Sequence, residues 1–239
     1  MFRLHRASHL GLEFCMHCAN ESGRGQIFSY PGELPREADV VLVGTIHRVE
    51  AFKDLLEKLL KEIAPRLITV EISPFSVAYR KKREPLWSKK LQDLGGKVPE
   101  KVLGSLWAAL RMPYEFRIPK ELDLCPVVPV DLCAPARRYL SALEDLLEDP
   151  PEETFSPAKE LAYLRLFLEG LYFPPRSPED IRRERFMARK IKRLASLRKP
   201  LVHIGGWRHL PGLSSFLPEA TAICLTPDLS FLPKESNDF

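Results

Sequence analysis

Two short phrases near opposite ends of the chain, Gly44-Thr45-Ile46-His47 and Gly206-Trp207-Arg208-His209, share the pattern G-x-x-H. Each follows an apolar run, Val40-Val41-Leu42-Val43 before the first and Leu201-Val202-His203-Ile204 before the second. Imidazole is the commonest metal ligand and exchanges a proton near neutral pH. The glycine ahead of each histidine lets the backbone turn sharply or come close to a ligand. Two carboxylates occupy similar places: Glu71 closes Leu67-Ile68-Thr69-Val70, and Asp131 closes Val127-Val128-Pro129-Val130. Two imidazoles with one or two carboxylates are the usual ligand set of a catalytic divalent metal, which lowers the pKa of bound water to about 7. His47, His209 and Glu71 are therefore the candidate ligands, Glu71 either binding the metal or taking a proton from its water. This donor set suits zinc, manganese, iron or cobalt without selecting one.

Plainer roles stand beside these. His47 alone reads equally well as a turn histidine bonded to backbone. Glu71, at the end of an apolar strand, needs a partner if buried, and Arg80 or Arg183 would supply one in a purely structural ion pair. Asp131 could instead cap a helix starting near Pro135. His203 lies inside a strand and is assigned to the core. Cys15-Met16-His17-Cys18 is half of a zinc-binding pattern, with His5 and His9 nearby, but no second C-x-x-C follows; a pair of free thiols is the default. The basic run Arg80-Lys81-Lys82-Arg83 reads as a solvated helix face that would also favour an acidic ligand.

Strand-end residues meet only if the strands run parallel. Asp39 to Thr45 reads as a strand, and Val49 to Ala64 carries Phe52, Leu55, Leu56, Leu59, Leu60 and Ile63 at helical spacing up to Pro65. Leu67 to Ile72 is the next strand. This βαβ unit implies an α/β fold, a mostly parallel central sheet flanked by helices. Residues 73–123 read as a helical insertion after the second strand. The prolines of Pro126-Val127-Val128-Pro129 argue for an edge or end position. Helices are expected over 135–148, 157–170 and 178–197, and strands over Leu201–Ile204 and Ala220–Leu225. Residues 1–36 read as an irregular appendage with room for a short hairpin, 37–239 as the α/β domain, and the stretch from about Pro227 as a loose tail. In open α/β sheets ligands bind beyond the carboxyl ends of the strands, where His47, Glu71, Asp131 and His209 fall.

A chain of 239 residues, 45% hydrophobic and 28% charged, is ordinary for one large soluble domain. The net charge of +4 is spread among acidic residues, giving no strong nucleic-acid signal. No apolar run approaches the ~20 residues of a membrane span, and the start lacks a signal-peptide core, so a cytoplasmic location is expected. Five cysteines at irregular spacing then read as reduced thiols. Asparagine and glutamine are scarce (Asn20, Asn237, Gln26, Gln92) while prolines number 22, a thermophile tendency. A melting temperature above the ordinary ~45–65 °C range is expected.

The motifs resemble the TraB/GumN family along residues 39–226. Gly44-Thr45-Ile46-His47, a helix, and Pro65-Arg66-Leu67-Ile68-Thr69-Val70-Glu71-Ile72 look like that family's opening G-T-x-H and P-D-x-V-x-V-E-L. Tyr114-Glu115 resembles the central G-x-E, Val128-Pro129-Val130-Asp131 the strand ending in D-R, and Arg182-Arg183-Glu184-Arg185-Phe186-Met187-Ala188 the E-R-D-x-Y-M-A helix. Gly205-Gly206-Trp207-Arg208-His209-Leu210-Pro211-Gly212 resembles the closing G-x-x-H-x-x-G. Departures are Leu132 after Asp131, where Arg137 or Arg138 could substitute for the usual arginine, Arg66 after proline, and bulky Trp207 and Arg208. The resemblance implies a fold group that includes Tiki-type proteases, erythromycin esterase-like enzymes and haem-binding ChaN-like proteins. It implies metal-dependent hydrolysis, of peptides in Tiki-type members, by His47, His209 and Glu71, with Arg183 matching the helix arginine. Gly44, Gly206, Arg80, Glu115 and Asp131 are the candidates to line a substrate. Two other expectations stay open: a non-catalytic protein binding a small molecule, haem or peptide in the same pocket, and a metal-free esterase-like site with histidine as general base.

Overall fold

The computed structural model describes residues 27–32, 38–151 and 157–227. Strands β1 (Ile27–Tyr30), β2 (Val40–Thr45), β3 (Leu67–Val70), β4 (Val127–Pro129), β5 (Leu201–Gly206) and β6 (Thr221–Leu225) form one sheet in the order β1-β6-β2-β5-β3-β4. All neighbours are parallel. Every residue of β2, β3 and β5 is buried, as expected of strands covered on both faces, and this is why they read as continuous apolar runs. β4 pairs with β3 alone; its prolines lack a donor and tolerate only such an edge.

β1 departs from the expectation of an irregular segment or hairpin. Residues 27–30 pair in parallel with β6, nearly the whole chain away, and so remote a pairing leaves no mark on the local sequence. Cys15, Cys18, His5 and His9 lie outside the described residues, as does the tail from 228. Cys125, Cys133 and Cys224 are free thiols.

Among the described residues there are eight helices: α1 (Phe52–Ile63), α2 (Pro74–Leu94), α3 (Glu100–Leu110), α4 (Tyr114–Leu122), α5 (Cys133–Glu148), α6 (Pro157–Leu168), α7 (Pro178–Ala195) and α8 (Leu210–Phe216). The first buries Phe52, Leu56, Leu59 and Leu60 and stops at Ala64, which is left-handed at φ 48. α7 starts with Pro178 behind a capping box in which Ser177 and Asp180 satisfy each other's backbone N–H. The insertion α2–α4 follows β3 as expected; α8 and the 3-10 turn Trp207–His209 before it were not foreseen. Among the described residues no helix is long and apolar enough to cross a membrane.

Register decides which residues share a face. Thr69 pairs with His203, His203 with Leu42, and Gly205 with Gly44, while the Glu71 N–H continues the ladder to the Ile204 carbonyl at 2.8 Å. Alternation therefore sets Thr69, Glu71, His203, Gly205 and Gly44 on one face, with Thr45 and Gly206 on the other. α7 and α8 pack together on the first face, where Leu210 lies against Gly44; α1 and α4 pack together on the second.

Candidate functional site

From the α4 face comes the first histidine. Thr45 Oγ1 sits 3.2 Å from the Gly205 carbonyl and 3.1 Å from Glu115 Oε1, tying the ends of β2, β5 and α4 together. The Tyr114 hydroxyl donates to the Ile46 carbonyl at 3.1 Å and holds the loop that follows. Glu115, 2% exposed, lies 2.6 Å from His47 Nδ1 through Oε1. The Nε2 edge of His47 lies over Gly206, where a Cβ would come within 2.8 Å of it. Burial works against a proton on His47, but the Glu115 carboxylate, helped by Glu71, outweighs it and raises the imidazole to about 9. The side chain is nonetheless 47% exposed, so water reaches the ring and screens the pair. Arg48 follows in the left-handed region at φ 69, and its guanidinium reaches the Tyr139 hydroxyl.

From the opposite face comes the second. His209 Nδ1 lies 3.0 Å from Oε1 of Glu184, a fully buried α7 residue. Glu184 Oε2 accepts from Arg176 Nε at 3.0 Å and Nη2 at 2.5 Å. His209 Nε2 points inward, 3.3 Å from Glu71 Oε1 and 3.4 Å from Arg183 Nη1. Burial again opposes protonation, and Glu71 with Glu184 overcomes it, so the His209 pKa is raised.

Glu71 stands between the two. Its Oε2 accepts the Gly206 N–H at 2.8 Å and its Oε1 accepts Arg183 Nη2 at 2.7 Å. The same guanidinium donates to Asp131 at 2.8 Å and 3.2 Å, a bidentate clamp joining the ends of β3 and β4. Burial would favour the neutral acid, but His209, Arg183, His47 and the Gly206 N–H together hold Glu71 at about 2. One guanidinium thus balances two carboxylates and faces an imidazole.

The structure brings His47, Glu71, Glu115, Asp131, Arg183, Gly206 and His209 together. Gly44 serves packing, since a Cβ there would overlap Leu210. Arg80 hydrogen-bonds none of these residues. It is 7% exposed and donates to the carbonyls of Ala109 (2.7 Å), Leu110 and Arg111 (2.9 Å), closing the end of α3. Asp131 is not the cap of α5, which follows Leu132 without a side-chain cap. Neither Arg137 nor Arg138 takes up Asp131: the first lies over the Phe75 ring and the second pairs with Glu179 at 2.5 Å. Sequence reasoning missed the anchoring roles of Thr45 and Glu184. For Glu184 a signal was present, because it falls on the same helical stripe as Met187, Ala188 and Ile191, all buried.

Two imidazoles with Nδ1 held by a carboxylate match the arrangement that orients metal-binding histidines, although His209 Nε2 already faces Glu71 and Arg183. His47 Nε2, His209 Nε2 and Glu71 are thus donors of the right type. As placed, no group of three His, Cys, Asp or Glu side chains among the described residues converges closely enough to hold an ion. Beside Arg183 a cavity of about 310 Å³ opens between the starts of α5 and α7, lined by Pro135, Arg138, Tyr139, Ser177, Glu179 and Asp180. Compared with known protein families, curated proteins and solved structures, the chain finds no match in any of the three.

Proposed function

We propose that this protein is a hydrolase that activates water at the carboxyl ends of β2, β3 and β5, acting on a peptide or ester bond. The observation that carries the reading is the pair of carboxylate–histidine dyads, one from each face of the sheet, whose Glu115 and Glu184 partners are 2% and 0% exposed. A buried carboxylate on Nδ1 fixes the ring's orientation and leaves Nε2 as the reacting nitrogen. Arg183, held by Asp131 and Glu71, supplies a fixed positive charge for an oxyanion. A divalent ion, if bound, would be held by His47, His209 and Glu71 and would supply a hydroxide nucleophile near neutral pH. The motif order that resembles TraB/GumN proteins supports the same reading, and we propose a distant kinship with them.

A metal-free version is favoured by one specific observation. Arg183 already bonds Glu71 Oε1 and lies 3.4 Å from His209 Nε2, so the charge of Glu71 is balanced without an ion. In that version His47, raised to about 9, is protonated for the most part at neutral pH and serves as general base through the deprotonated fraction that grows as pH passes about 9.

Metal content by plasma mass spectrometry, on wild type and the His47→Ala/His209→Ala variant, tests these readings alongside a panel of peptide and ester substrates. About one equivalent lost in the variant, with turnover abolished by a chelator, is the metal-dependent outcome. Turnover that resists chelation but disappears with either histidine is the metal-free outcome. Absence of turnover under every metal condition overturns the hydrolase and leaves a binding protein for a small molecule, haem or peptide.

A further inference from the structure

A third imidazole lies behind this site. His203 is 1% exposed and shares its face of the sheet with Gly205 and Glu71. Its Nδ1 lies 3.1 Å from Thr69 Oγ1, and its Nε2 has no hydrogen-bond partner among the described residues. An orphaned ring nitrogen at this depth is costly.

The surroundings say what it faces. A Cβ on Gly205 would come within 2.7 Å of Glu71 Oε2 and 3.2 Å of His203 Nε2. The two atoms therefore converge over Gly205, which has no side chain to keep them apart, Glu71 leaning in from the end of β3 and His203 from one pleat earlier on β5. The Thr69 hydroxyl has two acceptors within reach, the Val202 carbonyl at 3.5 Å and His203 Nδ1 at 3.1 Å. A hydroxyl can donate or accept at the shorter contact, so the neighbour on the other side decides: the Glu71 carboxylate only accepts, and beside it the proton of the neutral ring belongs on Nε2, with Nδ1 accepting from Thr69. Burial keeps the ring neutral, its pKa lowered to about 4.

We propose that His203, as the Nε2–H tautomer, is a positioning residue whose N–H serves Glu71 Oε2 across Gly205. A water between them would carry the bond at nearly the enthalpy of a direct one. Oε2 then has two donors, the Gly206 N–H at 2.8 Å and His203, which fix the carboxylate plane so that Oε1 meets Arg183. Any side chain at position 205 would separate the two partners.

The inference does not depend on hydrolysis, because it is read on the free protein by magnetic resonance. Long-range proton–nitrogen spectra of ¹⁵N-labelled protein at pH 7 should show His203 as the Nε2–H tautomer; the Nδ1–H tautomer overturns the proposal. His203→Gln can return an amide N–H to the place of Nε2, whereas His203→Phe keeps a ring without the N–H. The Arg183 side-chain resonances should stay at their wild-type shifts in the glutamine variant and move in the phenylalanine variant. Equal behaviour of the two folded variants also overturns it. If either variant fails to fold, the wild-type tautomer decides alone.

Discussion

At the scale of single residues, the site is an alternation of charge in which no ionisable group stands by itself. His47 shows what that does to chemistry. Glu115 raises its pKa to about 9 against the opposing effect of burial, so Glu115→Gln should return the imidazole towards the ordinary ~6.5. A ring-proton titration by magnetic resonance measures this, and an unmoved midpoint would show that Glu115 is not the cause. The sign for stability follows from a folded pKa above the unfolded one. The pair's contribution is complete below ~6.5 and is lost as pH rises to about 9. With 47% of the side chain exposed, that contribution is small. For turnover, a rate that rises as pH passes about 9 marks His47 as the base, and one that falls marks it as the acid.

At the scale of elements, glycine decides how closely α8 and β5 approach their neighbours. A Cβ on Gly212 would overlap the carboxylate of Glu184, which has no free volume because Arg176 and His209 hold both its oxygens. Gly212→Ala should cost about 1–3 kcal/mol and release His209 Nδ1. Gly104, inside α3, meets nothing within 4 Å, so Gly104→Ala should stabilise by about 0.5–1 kcal/mol through helix propensity. Denaturant midpoints of the two variants should move in opposite directions; a shift of the same sign contradicts the packing argument. Elements were the part of the fold most legible in the sequence. Val40–Thr45, Phe52–Ile63 and Leu67–Val70 declare themselves because burial on two faces leaves an unbroken apolar run and burial of one stripe imposes a helical period. β1 did not, since a four-residue edge strand takes its identity from β6. In the site, strand-end residues were legible by position and Arg183 as a partner for Glu71; Glu115 was reached only through the family resemblance, and the orienting role of Glu184 depends on packing.

At the scale of the whole molecule, two cores divide the work. The sheet and the helices on its faces share one; α2, α3 and α5 enclose a second, built on Trp87, Val102, Leu106, Leu110, Leu140 and Leu143. The second contains no strand residue, and Glu144 knits it by accepting from Arg83 Nε at 2.7 Å, Trp87 Nε1 at 2.9 Å and the Tyr79 hydroxyl at 2.7 Å. Units with separate cores open separately. Leu106, 4% exposed, tests this: Leu106→Ala should cost the second core about 2–5 kcal/mol. By amide hydrogen exchange, α3 and α5 should then lose protection while β2, β3 and β5 keep theirs. Equal loss across the sheet would mean one cooperative unit. If the second core opens alone, the motion falls at the Arg138–Tyr139 wall of the cavity beside Arg183, and the parallel strands that carry His47, Glu71 and His209 stay rigid beneath it. A substrate would then enter by loosening α5 without disturbing either histidine's anchor, because Glu115 and Glu184 belong to α4 and α7, outside the second core.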